Sequence, residues 1–184
     1  MTEFPLHDLD SAPQDARKRL EGAQQMMGFI PNIFAKMAEA PTTLEAYQTL
    51  DGIFGKTSLS PVEREVVLIA VSVDNRCHFC VAAHSGRAQQ AGMDGEVLTA
   101  LRGGGELPDA RLDALAKFTR AVVAERGWVS DERLQAFLDA GFTRQQALEV
   151  VLGVSIKTLS NYINHIAGTP LNAELEGLAW NDAA

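Results

Sequence analysis

The chain's two cysteines stand three residues apart, as Cys77-His78-Phe79-Cys80, and His84 follows four residues later. On a helix, at about 100° per residue, Cys77, Cys80 and His84 fall within an arc of roughly 60° and stack on one face. That arrangement suits thiol redox chemistry. A thiolate is the nucleophile, and a free thiol is mostly protonated at neutral pH. A helix start, where both cysteines are expected to lie in the first turn, stabilises negative charge through unpaired N–H groups and the helix dipole. His84 can take or relay the proton. The second thiol can attack the oxidised first one and close a disulfide.

Glu65 is the fourth candidate, twelve residues before Cys77 at the entrance to an apolar run. A carboxylate on a buried helix must find a partner or stay protonated, and a raised pKa would suit it as a proton acceptor near pH 7. His78, on a helix, points about 100° away from the Cys80 face.

Other readings of these residues stand beside the redox one. The cysteines could be small buried apolar residues, His84 a core histidine bonded to a carbonyl, and Glu65 half of an ordinary surface ion pair with a nearby arginine. Cys77, Cys80 and His84 with Glu65 or His78 could supply four zinc ligands, although structural zinc sites usually draw on two separated pairs and no second pair exists. A thiol pair could also switch packing as a sensor without turnover. Glu65 and His84 could do acid–base work on a small organic acid. A bridge between the cysteines would close a tiny loop and make a poor structural staple. In a reducing compartment such a pair is catalytic or metal-binding more often than structural.

The elements that must position these groups read as helices, with no alternating β-branched run between turns. A thioredoxin-like βαβ context for the CxxC is therefore absent. Residues 1–13 read as an extended arm containing Pro5 and Pro13. Helices are expected over Ala12–Met27, from Pro31 through Glu39, and from Thr42 to about Gly55. The clearest start is Ser60-Pro61-Val62-Glu63: a cap, a first-turn proline and a capping-box glutamate. The run Val66–Val73 is apolar almost all round and predicts a central buried helix. Asp74-Asn75-Arg76 interrupts it, Asn75 is a candidate cap for the cysteine helix, and Gly92 a candidate stop. Arg102–Pro108 reads as a flexible connection. Further helices are expected at about Asp109–Glu125, Asp131–Ala140 and Thr143–His165, with Ser130 and Thr143 as caps and Gly127 and Gly141 as stops. The tail after Pro170 reads as a loose arm or a packing segment at a subunit contact. The echo of Glu65-Val66-Val67-Leu68 in Glu149-Val150-Val151-Leu152 hints at two similar helical halves. Asn161 and His165 make an i, i+4 polar pair suited to packing or a subunit contact. His7 reads as solvated, and Met26, Met27 and Met37 as core filler.

Size and composition set the outer limits. The 184 residues suit one domain with a proper core, 46% apolar and 22% charged. The net charge of −8 makes nucleic acid and anionic membranes poor partners. The N-terminus has no basic start followed by an apolar stretch, and no segment reaches the roughly 20 apolar residues of a bilayer span. The expected location is the cytoplasm.

The pattern of Glu65, eleven residues, Cys77-x-x-Cys80, three residues and His84 resembles that of the alkylhydroperoxidase D-like, or carboxymuconolactone decarboxylase, family. So do EREVVLIAVSVDNRCHFCVAAHS around it, GFIPNIFAKMAEAP upstream and NYINHIAGTPL downstream, which resemble the peroxidase-related branch. The similarity runs roughly from Gly28 to Leu171. It implies a compact all-α, multi-helix alkylhydroperoxidase D-like fold, assembled into homo-oligomers such as trimers or hexamers. It implies reduction of hydroperoxides through the cysteine pair, with no cofactor beyond that pair and an external dithiol or protein reductant. Cys80 would be the peroxide-attacking thiol, Cys77 the more exposed resolving thiol, and His84 and Glu65 the proton relay. One position departs. The peroxidase branch carries a histidine second between the cysteines, where this chain has Phe79. The decarboxylase branch proper lacks the cysteine pair, so lactone decarboxylation is not expected.

Overall fold

The computed structural model describes residues 3–181, and every regular element among them is helical. Nine α-helices follow in order: α1 Gln14–Met27, α2 Asn32–Met37, α3 Pro41–Phe54, α4 Pro61–Asp74, α5 His78–Gln90, α6 Gly95–Arg102, α7 Ala110–Ala124, α8 Asp131–Asp139 and α9 Arg144–Ala167. A 3₁₀ segment, Ala173–Leu178, closes the chain.

The strongest local signals produce the best-defined ends. Ser60 accepts from the Glu63 backbone N–H while the Glu63 carboxylate accepts from the Ser60 N–H, completing the capping box of α4. Thr143 and Gln146 do the same for α9. Ser130 caps α8. One helix was not anticipated. α6 is only eight residues long and begins with a glycine, so its signal rests on Asp94, which accepts from the N–H groups of Glu96 and Val97.

α4 is the hub. From Val66 to Val71 every side chain is buried, which removes the whole circumference of the helix from water. Each such Val, Leu or Ile contributes about 1.5–3 kcal/mol of transfer free energy. α5, α7, α9 and α6 pack around it, and α9 also packs on α3 and α2. α9 comes so close that a Cβ at Gly153 would stand 2.7 Å from Val67 Cγ1 and 3.0 Å from the Phe54 ring. Glycine at 153 therefore sets the spacing of α9 against α4 and α3.

Several smaller expectations are corrected. The N-terminal arm is pinned: Lys36 Nζ donates to the Phe4 carbonyl, and His7 is paired with Glu39 at 2.8 Å rather than solvated. Met26 and Met27 lie on the exposed side of α1, and only Met37 fills the core. Asn161 is buried and accepts from Asn75 Nδ2 at 3.0 Å, whereas His165 faces outward, so the two do not form a pair. Glu149 accepts from the Ser58 N–H and hydroxyl at the mouth of a loop, so the echo of Glu65 carries no matching environment. Residues 171–181 pack on their own chain rather than forming a loose arm. Asn172 bonds Asn32 and Ile30, and the 3₁₀ segment lies on α5.

Candidate redox site

The turn between α4 and α5 delivers the cysteines. The Arg76 N–H donates to Val73 O and the Cys77 N–H to Ser72 O, with Arg76 left-handed at φ 54°. This is a Schellman motif, which satisfies the last carbonyls of α4 while reversing the chain. Asn75 closes α4 rather than capping α5. Cys77 itself occupies the N-cap of α5, with no side-chain capping bond, and Cys80 lies in the first turn.

The four predicted residues converge. Both cysteines are free thiols, and their sulfurs hydrogen-bond each other. Asn164 Nδ2 donates to both, at 3.4 Å to Cys77 Sγ and 3.2 Å to Cys80 Sγ. His84 Nδ1 lies 2.8 Å from Glu65 Oε2, and Arg87 Nε stands 3.0 Å from Glu65 Oε1. His84 does not bond a thiol directly. Its Nε2 stands 3.0 Å from Lys157 Nζ, and the charge of Lys157 in turn acts on the Cys80 sulfur, which also lies 3.9 Å from Ser160 Oγ.

The result is a hydrogen-bonded series from the surface inward, Asp51, Arg87, Glu65, His84 and Lys157, whose ammonium acts electrostatically on Cys80, while Asn164 joins Cys80 to Cys77. Its charges alternate, which is what keeps a fully buried ammonium in place. Burial disfavours the charged form of Lys157, but Cys80 and Tyr47 outweigh it and raise the pKa above the ordinary 10.5. Burial likewise pushes the Cys80 thiol up; the Cys77 hydrogen bond and the Lys157 charge more than reverse this, holding it well below the ordinary 9.0. Cys77 goes the other way, raised by its bond to Cys80 and by burial. The pair is thus polarised: Cys80 is the thiol more readily ionised and Cys77 the one that holds its proton more firmly. Burial and the neighbouring ammonium depress His84 below 6.5, so the ring is neutral. A neutral ring with Nδ1–H donating to Glu65 and Nε2 accepting from Lys157 satisfies every partner.

Three expectations change here. Glu65 is not a carboxyl of raised pKa: burial does push it up, but His84 and then Arg87 outweigh that and leave it below 4.5. Glu65 contacts both His84 and Arg87 while itself only 4% exposed, so it is not an ordinary surface ion pair. Cys77 is not the more exposed thiol, at 1% against 2% for Cys80. Phe79 is core, and His78 faces outward, its ring tilted at 44° against Trp180 and its Nδ1 2.7 Å from the Trp180 carbonyl. His78 therefore stays outside the site. Among the described residues no group of three or more His, Cys, Asp and Glu side chains is placed to hold a metal ion. The Lys157 ammonium further disfavours a cation at the thiols.

Sequence reasoning missed Lys157, Asn164, Arg87 and Tyr47. Tyr47 is buried near Lys157, and burial raises its hydroxyl to about 12. A signal for the first two does exist. Gly153, Lys157, Ser160, Asn161 and Asn164 recur at i, i+4, i+7, i+8 and i+11, one face of α9. That face also carries the buried Val150, so polar groups on it had to be buried as well.

A family model described as the carboxymuconolactone decarboxylase family matches residues 39–120, a span containing Glu65, both cysteines and His84. The solved structures to which the chain is similar cover nearly its whole length. A peroxidase-related protein from Ralstonia eutropha JMP134, described as an alkylhydroperoxidase AhpD core, is 26% identical over 94% of this chain and 93% of its own, with a TM-score of 0.83. A peroxidase-related protein from Silicibacter sp. TM1040 is 23% identical over 96% of each chain, with a TM-score of 0.80. The debrominase Bmp8, in complex with 2,3,4-tribromopyrrole, is 15% identical over 97% of this chain and 95% of its own, with a TM-score of 0.78. A comparison with curated protein sequences gives no match. The chain is thus similar to the carboxymuconolactone decarboxylase family over residues 39–120, and it has the AhpD-like all-helical fold.

Proposed function

We propose that the protein is a thiol-dependent peroxidase that reduces hydroperoxides through Cys80 and Cys77 and is restored by an external dithiol or protein reductant. The observation that carries this reading is the free thiol pair joined by Asn164 at 3.4 and 3.2 Å, beside the buried Lys157–His84–Glu65 series at 3.0 and 2.8 Å, whose ammonium favours ionisation of Cys80. The likeness to a peroxidase-related protein at 26% identity supports it.

In this reading the Cys80 thiolate attacks the terminal oxygen of ROOH. The S–O bond forms, the O–O bond breaks, and the leaving alkoxide takes a proton from Lys157 to depart as ROH. Cys77 then attacks the sulfenic acid. The S–S bond forms, and hydroxide leaves with the Cys77 proton as water. A dithiol donor supplies two electrons and two protons to reopen the bridge, and the Cys80 proton returns to Lys157. Glu65 and His84 hold that lysine by fixing the imidazole tautomer.

The test is steady-state consumption of cumene hydroperoxide with dithiothreitol as donor. Turnover by the native chain that is abolished in Cys80→Ser supports the reading; equal rates in the two overturn it. Burial of both sulfurs favours a second reading, a thiol sensor oxidised once without turnover. A single stoichiometric loss of thiols with no steady state separates it from the first. Self-association belongs to the proposal as well: Leu148, Val151, Tyr162 and Ile166 leave an apolar stripe exposed along α9. Sedimentation velocity is expected to show a species larger than one chain, and a monomer at micromolar concentration would contradict it.

A further inference from the structure

One atom beside the thiols has no partner. Asn164 spends its amide nitrogen on both sulfurs, yet its Oδ1, in a residue only 6% exposed, accepts no hydrogen bond from any of the described residues. The orientation of the amide follows from the site, because a thiolate at Cys80 accepts and so must face the N–H₂ end. The carbonyl end is then left as an unpaired acceptor within one side chain's breadth of the reacting sulfur. Lys157, on the same face of α9 two turns earlier, is a donor beside that sulfur.

We infer that Asn164 is a substrate-binding catalytic residue: its orphan Oδ1 accepts the O–H of the hydroperoxide and holds the terminal oxygen against Cys80. The inference rests on the peroxidase reading above. The two ends of the substrate's O–O bond are different in kind. The terminal oxygen carries a proton and keeps it when it becomes the sulfenic acid, so it needs an acceptor. The inner oxygen gathers negative charge as the O–O bond breaks, so it needs a donor. Asn164 Oδ1 supplies the first and Lys157 the second. The ligand class that satisfies both is a hydroperoxide, ROOH or hydrogen peroxide. A dialkyl peroxide has no O–H for Asn164 to receive. During attack the S–O bond forms to the oxygen held by Asn164, and the proton that leaves with ROH comes from Lys157. Asn164 itself is neither oxidised nor deprotonated.

The test compares two reagents that must reach the same sulfur. Reduced full-length protein is treated with iodoacetamide, which needs only a thiolate and access, and separately with tert-butyl hydroperoxide. Rate constants for each at Cys80 are followed across pH to their plateaus. The ratio of the plateau rates cancels thiolate fraction and opening of the site. In Asn164→Leu, which keeps the side-chain outline, the peroxide-to-alkylation ratio is expected to fall at least about tenfold. Asn164→Ala gives the same readout if the leucine variant does not fold. In Asn164→Asp, which retains an acceptor oxygen but loses the N–H donors, alkylation shifts to higher pH while the ratio is largely kept. An unchanged ratio in Asn164→Leu or Asn164→Ala overturns the assignment and leaves Asn164 a support for the sulfurs only. A native protein that alkylates normally but never reacts with the hydroperoxide overturns the peroxidase reading instead, and the inference with it.

Discussion

The sulfur that matters is distinguished by a residue 77 positions away in sequence. Cys77 and Cys80 share a turn and an amide, and what makes them unequal is their interaction with each other, which lowers Cys80 and raises Cys77, together with the ammonium of Lys157, which acts on both and more strongly on Cys80. Lys157→Met removes that charge and leaves His84 Nε2 without its donor. Its pH profile for Cys80 alkylation is expected to move upward, with the rate at pH 7 falling roughly 10- to 100-fold. An unmoved profile would show that the thiolate is held by the helix start and Cys77 alone. Lys157→Arg is expected to restore little, because a planar fork cannot replace a compact ammonium in a fully packed position. The dithiol, His84 and Glu65 were legible in the sequence because Cys77, Cys80 and His84 sit at i, i+3 and i+7 on one helix, and Glu65 on the helix just before. Lys157 and Asn164 were not, because a lysine and an asparagine in a long helix ordinarily mark its wet side. Nothing local says that this side faces α4 and α5.

At the level of elements, the site depends on how closely α9 approaches α4. Gly153 sets that spacing, one helical turn before Lys157. Gly153→Val forces a branched side chain against Val67 and Phe54, and overpacking of this kind costs about 1–3 kcal/mol. The shift it imposes also draws Lys157 from Cys80, so the variant is expected to lose thiolate reactivity beyond its loss in Tm. Alkylation at a temperature where the variant is fully folded checks this. The C-terminal segment bears on access. Trp180 packs at a tilt against His78, the residue after Cys77, and its indole N–H donates to the Arg102 carbonyl. Arg102 in turn donates to the carbonyls of Leu178 and Ala179. The tail therefore straps the start of α5. Trp180→Ala is expected to raise the alkylation rate of the thiols several-fold with little change in its pH profile, and an unchanged rate would place the entrance elsewhere. The turn chemistry of the fold was readable wherever a cap, proline or left-handed glycine announced it. α6 was missed because its eight residues offer two turns of periodicity and one capping aspartate. The strap was missed because its holds are Arg102 bonds to backbone carbonyls, which leave no sequence pattern.

Taken as a whole, the molecule stores its electrostatics in the interior, and its stability should depend on pH accordingly. His84 is depressed below 6.5 in the folded chain. As the pH falls through 6.5 the unfolded chain takes a proton that the folded chain refuses, so stability drops on acidification. Glu65 adds to this below 4.5, since its folded value is also depressed and its contribution is lost as the pH falls through that lower value. Asp74, raised above 3.8 by burial, works weakly in the opposite direction. Thermal unfolding is expected to show Tm falling steadily from pH 7 to pH 4, and falling less between pH 7 and pH 5 in His84→Gln, after allowing for that variant's lower starting Tm. A flat native profile would mean that the buried chain of charges is relaxed by solvent. The fold class was clear from periodicity, since a buried apolar helix flanked by well-capped amphipathic ones leaves few alternatives to an all-α core. The internal echo was not a guide, because Glu149 meets a loop where Glu65 meets an imidazole.

The central claim is that Cys80 and Cys77 act together on a hydroperoxide, and thiol titration tests it most directly. Fully reduced protein should show two free thiols per chain. One equivalent of organic hydroperoxide should remove both together, and peptide mapping should find a bridge between Cys77 and Cys80. Retention of both thiols after hydroperoxide treatment, in protein whose cysteines still react with iodoacetamide, would contradict the account.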